Sequence, residues 1–187
     1  YYIGAHDIEV ELANLSLKYA HPDEYKMIEE QRYNFEQEYQ EQLAEMQYKL
    51  TKLLNDREIP NEIKTRIKSV YGIYRKMSLG KQIHELKDIY VLKILVNEIN
   101  NCYITLDLLH KTYPQSAGMH TRDYIRKPKT NLYQGLHTIV TGPEDRNVHA
   151  QVRTFDMDRV AHVGLSYCFD NHSGDVQEEM QDKLSEC

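Results

Sequence analysis

The chain has 187 residues, 41% of them apolar and 28% charged, and a net charge of −6, which suits one soluble globular domain or one domain with a helical extension. No stretch approaches the roughly 18 apolar residues of a membrane helix, no secretory leader is visible, and the acidic balance disfavours general nucleic-acid binding, which needs clustered Lys and Arg against phosphate. Cys102, Cys168 and Cys187 show no CxxC spacing and read as thiols of a reducing, cytoplasmic compartment rather than a disulfide framework or a zinc site; the start at Tyr1 reads as an excerpt of something longer.

The first predicted element is a helix over His6 to Tyr19, with Ile8, Leu12, Leu15 and Tyr19 at helical spacing. Pro22, Asp23 and Glu24 make a helix start, with proline in the first turn and acids against the N-terminal dipole. That helix runs on through a packing stripe of Tyr39, Leu43, Met46, Leu50 and Leu53, and Asn55-Asp56 and Pro60 end it. Glu62 to Ile67 reads as a strand, Ser69 to Met77 as a helix and Ile89 to Val96 as a buried strand rich in β-branched residues. Cys102 to Lys111 is helical, with Ile104, Leu108 and Lys111 in line. Leu136 to Val140 and Val148 to Val152 alternate as strands joined through Gly142-Pro143. A helix over Phe155 to Tyr167 follows, with a stripe of Met157, Val160, Val163 or Gly164, and Tyr167, before an acidic tail after Ser173. These elements make a mixed sheet flanked by helices and preceded by a helical arm, an α+β architecture.

Charge is divided along the chain. Ile28 to Met46 holds six Glu against one Arg, whereas Lys64 to Lys87 and Arg122 to Lys129 concentrate Lys and Arg. An acidic protein with two basic runs is suited to a small polyanion, although either run alone also reads as a solvated face. Arg66, Lys68 and Lys76 leave a strand and enter a helix, where cations converging near a helix start can hold a polyphosphate. In DYIRKPKTNLYQGLHT, Asp123 to Thr138, the loop between Pro128 and Gly135 offers Lys127 and Lys129 as cations, Asn131 as an amide, Tyr133 as an aromatic face and His137 as a ring donor. These are the components of a nucleotide site; the alternative is an ordinary turn with a satisfied histidine.

Three motifs resemble those of the synthetase domain of the long RelA/SpoT enzymes, which make the alarmone (p)ppGpp. RIKSVYGIYRKM, Arg66 to Met77, is similar to R-x-K-x-x-x-S-I-Y-x-K-M. The Asp123–Thr138 segment is similar to D-Y-I-A-x-P-K-x-N-x-Y-Q-S-L-H-T, and QVRTFDMDRVAHVG, Gln151 to Gly164, to Q-I-R-T-x-x-M-x-x-x-A-E-x-G. The segment IGAHDIEVELANLSLKYAHPDEY resembles the junction between the family's hydrolase (HD) and synthetase domains. The resemblance implies a nucleotidyltransferase-like fold with a mixed five-stranded sheet, and transfer of pyrophosphate from ATP to the 3′-hydroxyl of GDP or GTP with Mg²⁺. It divides the chain into a helical arm over 1–58, a synthetase-like domain over 59–170 and an acidic tail over 171–187. Arg66, Lys68 and Lys76 would then hold ATP; Lys129, Asn131, Tyr133 and His137 would form the acceptor loop, with Tyr133 stacking on guanine; and Arg153 would line the sheet near the phosphates.

The chain departs from this pattern at both carboxylates that the chemistry uses. The metal-holding Asp of I-Y-D-L is Val91, and the Glu two residues before the Gln of Q-I-R-T is His149, a poor Mg²⁺ ligand. Asp88, three residues before Val91, is expected on the opposite face of the strand. The family's strand arginine is Val96, its S-I-Y serine is Gly72, and its R-F-K-D reads HTRD, His120 to Asp123. The expectation is a degenerate synthetase domain that binds nucleotide without efficient catalysis. An active GTP pyrophosphokinase with relocated ligands and a structural or interaction remnant stay open. His6-Asp7 spells an HD dyad but lacks its upstream partner residue, and reads as surface or packing. His84, His110, His162 and His172 share no ligand spacing.

Overall fold

The computed structural model describes residues 6–129 and 133–163. Asn131, the continuation of the last helix through Gly164 and Tyr167, the acidic tail, His172, Cys168 and Cys187 lie outside the described residues, as do the side chains of His6, Asp7 and Val163.

Two helices open the chain: α1, His6–Ala20, and α2, Pro22–Asn55. Pro22 occupies the first turn of α2, with Asp23 and Glu24 beside it, as the sequence predicts. On α2 the structure buries Tyr39, Leu43, Met46, Leu50 and Leu54, with Leu53 half-buried. On α1 the expected stripe faces outward: Leu12 is 61% and Tyr19 84% exposed, and the buried apolar residue is Leu17. Helical spacing locates α1 but not its inward face, which carries Leu17 into the core and Asn14, whose Oδ1 accepts from Tyr71 N at 2.9 Å.

Strand β1, Asn61–Ile67, runs into helix α3, Val70–Met77, and strand β2, Tyr90–Val96, follows. Helix α4 spans Ile99–Thr112. The two-residue strand β3, Arg122–Asp123, precedes the hairpin of β4, Leu136–Thr141, and β5, Asn147–Thr154, and helix α5, Phe155–Val163, closes the described part. The sheet order is β1-β2-β5-β4-β3, with β2 and β5 parallel and the other neighbours antiparallel. This is the expected mixed five-stranded α+β sheet. β3 has no signature in the sequence, since two residues cannot show a period.

Alternation gives the sheet two unlike faces. One carries Ile63, Ile67, Leu92, Ile94, Val96, Val140, Val148, Ala150 and Val152, all buried in the main core with Met46, Leu50 and Leu54 of α2 and Leu108 and Leu109 of α4. Here α4 buries Cys102, Thr105, Leu108 and Leu109, while Ile104, expected in line with Leu108, is 36% exposed. The hairpin turn is pinned to α2: Tyr39 Oη donates to the Pro143 carbonyl at 2.7 Å. A Cβ at Gly142 would lie 2.8 Å from that hydroxyl, so the close approach of turn and helix needs glycine.

Candidate functional site

The opposite face of the sheet carries the chemistry. One row across it runs Arg66 on β1, Val91 on β2, His149 on β5 and Ile139 on β4, each paired in register with the next. Val91 and His149, 58 positions apart in the chain, are therefore direct neighbours on parallel strands. Val91 is 2% exposed and offers no donor atom.

A cavity of about 450 Å³ opens beside this row. Lys76, Lys81, Lys87 and Arg122 supply cations to its lining and Glu85 and Asp88 supply carboxylates, while His137 and His149 present their rings. Lys81, Lys87 and Arg122 belong to the basic runs of the sequence, but nothing in their spacing marks them for this cavity. The loop from Gly80 to Ile89 brings the first two in.

Asp88 corrects the sequence reading. It lies in the turn before β2 rather than on the strand, so alternation does not govern where it points, and it enters the cavity that His149 also lines. Its Oδ2 accepts from Lys68 Nζ at 2.5 Å and Lys76 Nζ at 2.6 Å. Local structure fixes this trio. Ser69 caps α3 by accepting from Gly72 N at 3.1 Å, Lys68 N donates to the Ile89 carbonyl at 2.9 Å, and Arg32 Nε of α2 donates to the Lys68 carbonyl at 3.1 Å. Burial acts to raise the Asp88 pKa, but the two lysine hydrogen bonds outweigh it and bring the group down to about 2. Burial lowers Lys68, and the Asp88 contact opposes that shift.

The second cluster surrounds Tyr133. Its hydroxyl lies 2.6 Å from His137 Nε2, and His137 Nδ1 lies 3.2 Å from His149 Nε2. A phenol that donates to His137 Nε2 puts the ring proton on Nδ1, where it faces His149. Burial, with Lys129, Arg153 and Arg122 nearby, pushes His137 down to about 3. Burial also pushes His149 down to about 4; Asp88 opposes that shift, and Lys68, Arg66 and Lys76 add to it. Both rings are neutral at pH 7. Lys129 Nζ stands 4.8 Å from the Tyr133 ring centroid and Arg153 Cζ 5.4 Å, so the aromatic face expected to stack a base carries cations. Arg153 is 6% exposed and pairs with Asp158 of α5 at 2.9 Å, as does Lys93 at 3.1 Å.

Of the residues singled out in the sequence, Lys76, His137 and His149 meet in the cavity; Lys68 joins them through Asp88, and Arg66 shares the His149 row. Lys129, Tyr133 and Arg153 form the second cluster on the far side of His137. Asn131 lies outside the described residues.

The Val91–His149 row does not fit Mg²⁺, a hard cation that takes oxygen ligands; the carboxylates of the cavity are Glu85 and Asp88. The row offers a valine and a neutral imidazole, and Asp88 spends its hydrogen-bonded oxygen on two lysines. Among the described residues no three His, Cys, Asp or Glu side chains converge as a metal site.

The family model described as "Region found in RelA / SpoT proteins" matches residues 65–170, which include the row of Arg66, Val91, His149 and Ile139. The chain belongs to the RelA/SpoT family. It is 36% identical over 169 residues to the bifunctional (p)ppGpp synthase/hydrolase SpoT of Escherichia coli K12, covering 88% of this chain and 23% of that protein; the chain thus spans about a quarter of the relatives it matches. In fold it is similar to small alarmone synthetase 2 of Bacillus subtilis, with a TM-score of 0.62, 23% identity and coverage of 82% of this chain and 90% of that one. It is also similar to small alarmone synthetase 1 of the same organism bound to its product pppGpp, with a TM-score of 0.58, 23% identity and coverage of 82% and 89%. The mixed five-stranded sheet expected from the motifs is thus a fold shared with these alarmone synthetases. No helix among the described residues is long and apolar enough to cross a membrane.

Proposed function

We propose that this RelA/SpoT domain binds guanine and adenine nucleotides without efficient pyrophosphate transfer, as a nucleotide-responsive module beside a hydrolase domain of the same chain. The reading divides the chain into an arm over 1–58, the binding domain over 59–170 and a tail over 171–187. The single observation that carries it is the pairing of Val91 with His149 in one row of the sheet, at the two positions where the family resemblance places carboxylates. Around that row the phosphate-type cations Arg66, Lys68 and Lys76 and the Tyr133–His137 pair remain together.

Phosphoryl-type transfer rests on positioning and on neutralising the charge of the transferring group. In this chain lysine and arginine side chains supply the positive charge, and they can hold phosphates and screen them. They supply no strong base at the attacking hydroxyl: His149 is neutral, and its pKa of about 4 makes it a weak proton acceptor. Tyr133 and Lys129 would receive the guanine, with the lysine displaced from the ring.

A synthesis assay with ATP and GDP or GTP, in Mg²⁺ or Mn²⁺, tests the reading. The expected result is turnover at least a thousandfold below that of an active synthetase domain assayed alongside. Family-like turnover would overturn it. That outcome would favour the active-enzyme reading, for which the one supporting observation is Asp88 entering the cavity beside His149.

A further inference from the structure

Lys93 and Arg153 place two buried cations on the site face of the sheet. They stand on neighbouring parallel strands, where Arg153 of β5 pairs in register with Leu95 of β2, two residues beyond Lys93. Both turn to one carboxylate of α5. Asp158 Oδ1 lies 2.9 Å from Arg153 Nε and 3.1 Å from Lys93 Nζ, and Oδ2 lies 3.4 Å from the same lysine. The Arg153, Lys93 and Asp158 side chains are 7%, 13% and 14% exposed. Chain connectivity explains the placement. α5 follows β5 without a loop, Thr154 Oγ1 accepts from Met157 N at 3.1 Å to start the helix, and the first turn brings Asp158 back over Arg153.

Arg153 in turn lies over the Tyr133 ring, with Cζ 5.4 Å from its centroid. The Tyr133 hydroxyl is fixed separately, 2.6 Å from His137 Nε2. A hydrogen bond at the hydroxyl still lets a phenol ring turn about its long axis, whereas a planar guanidinium against the ring sets that rotation. We infer that Asp158 is a positioning residue for the base-binding platform: it holds Arg153 against Tyr133 and so fixes the plane of the ring. This rests on the reading that Tyr133 stacks guanine. Without the carboxylate, the ammonium and guanidinium charges would repel where burial weakens screening, and Arg153 would leave the ring. A merely structural ion pair would lower stability and leave the ratio of GDP to polyphosphate affinity unchanged.

The test compares wild type, Asp158→Asn and Arg153→Lys by calorimetric titration of the 187-residue chain with GDP and, separately, with inorganic tripolyphosphate. Asp158→Asn keeps the volume of the side chain; Arg153→Lys keeps the charge beside Asp158 and loses the planar group. Each should bind GDP about tenfold more weakly than wild type, as expected for partial loss of a stacking contact, and tripolyphosphate within about threefold of it. Equal losses for the two ligands, or an unchanged GDP affinity, overturn the inference. In a Tyr133→Ala background Asp158→Asn should change GDP affinity by less than about threefold, and an undiminished loss there overturns it as well. Should Asp158→Asn fail to fold, Arg153→Lys decides the matter by the same criteria.

A second readout needs no ligand. With carbon-13 in the tyrosine rings, the Tyr133 signal should move in both variants while that of Tyr48, exposed on α2, stays in place; an unmoved Tyr133 signal overturns the inference. These spectra separate the two proposals. A moved Tyr133 signal with no GDP binding to wild type leaves the Asp158 role standing and removes the nucleotide reading. An unmoved signal with equal GDP binding to all three proteins does the reverse.

Discussion

The two faces of the sheet are built on opposite rules. The face under α2 and α4 is an apolar layer in which Leu92, Ile94, Val96, Val148 and Val152 are fully buried, and β1, β2, β4 and β5 contribute to it by simple alternation. The other face puts Arg66, Val91, His149 and Ile139 in one row and closes it with neutral histidines and an aspartate held by two lysines. The first face stabilises by removing area from water. The second holds groups in states that water would not favour, and their cost must be offset by the first. Stability and ligand affinity should therefore separate cleanly by face.

The largest effect should come from the apolar face. Leu92→Ala removes a fully buried side chain and should cost about 2–5 kcal/mol in chemical denaturation. A cost below about 1 kcal/mol would break the assignment of that face as the core. On the other face, Tyr133→Ala should lose about 1–3 kcal/mol of guanine-nucleotide binding if the ring stacks a base, and calorimetry with GDP would show no change if it does not.

The neutral histidines make a pH prediction. Burial lowers His137 from 6.5 to about 3 and His149 from 6.5 to about 4. The unfolded chain takes up protons first as pH falls below about 6.5, so the stability linked to these two rings declines from there and stops falling below about 3. His149→Gln should flatten the upper part of that decline, measured as denaturation midpoint against pH; an unchanged slope would show that His149 is not buried neutral. Asp88, depressed from 3.8 to about 2, contributes stability that is present above about 3.8 and lost through that lower window. The smallest effect is expected at the helix cap: Ser69→Ala removes the acceptor for Gly72 N and should cost about 1 kcal/mol.

The core face was legible because period is a property of many residues at once. Tyr39, Leu43, Met46 and Leu50 mark α2, and the run from Tyr90 to Val96 marks the central strand. The inward sides of α1 and α4 were less legible, since Leu17 and Thr105 are buried at positions that a stripe of large apolar residues does not select. The site divides in the same way. The sequence singles out Lys68, Lys76, Tyr133 and His137 by motif and Val91 and His149 by contrast with it, but that Val91 and His149 are neighbours depends on β2 pairing β5 in parallel. Strand alternation does not reach Asp88, which sits in the turn before β2. No local pattern announces that Lys81, Lys87 and Arg122 line the same cavity, because a loop and a two-residue strand bring them there.

The most direct measurement is calorimetric titration of the purified chain with GTP and a non-hydrolysable ATP analogue, each with and without Mg²⁺. A pocket whose row carries Val91 and His149 should bind nucleotide with affinities that differ by less than about threefold between the two conditions. ATP-analogue binding that requires Mg²⁺ would contradict the account and make Asp88 the first ligand to test, and the absence of any binding would leave a structural remnant.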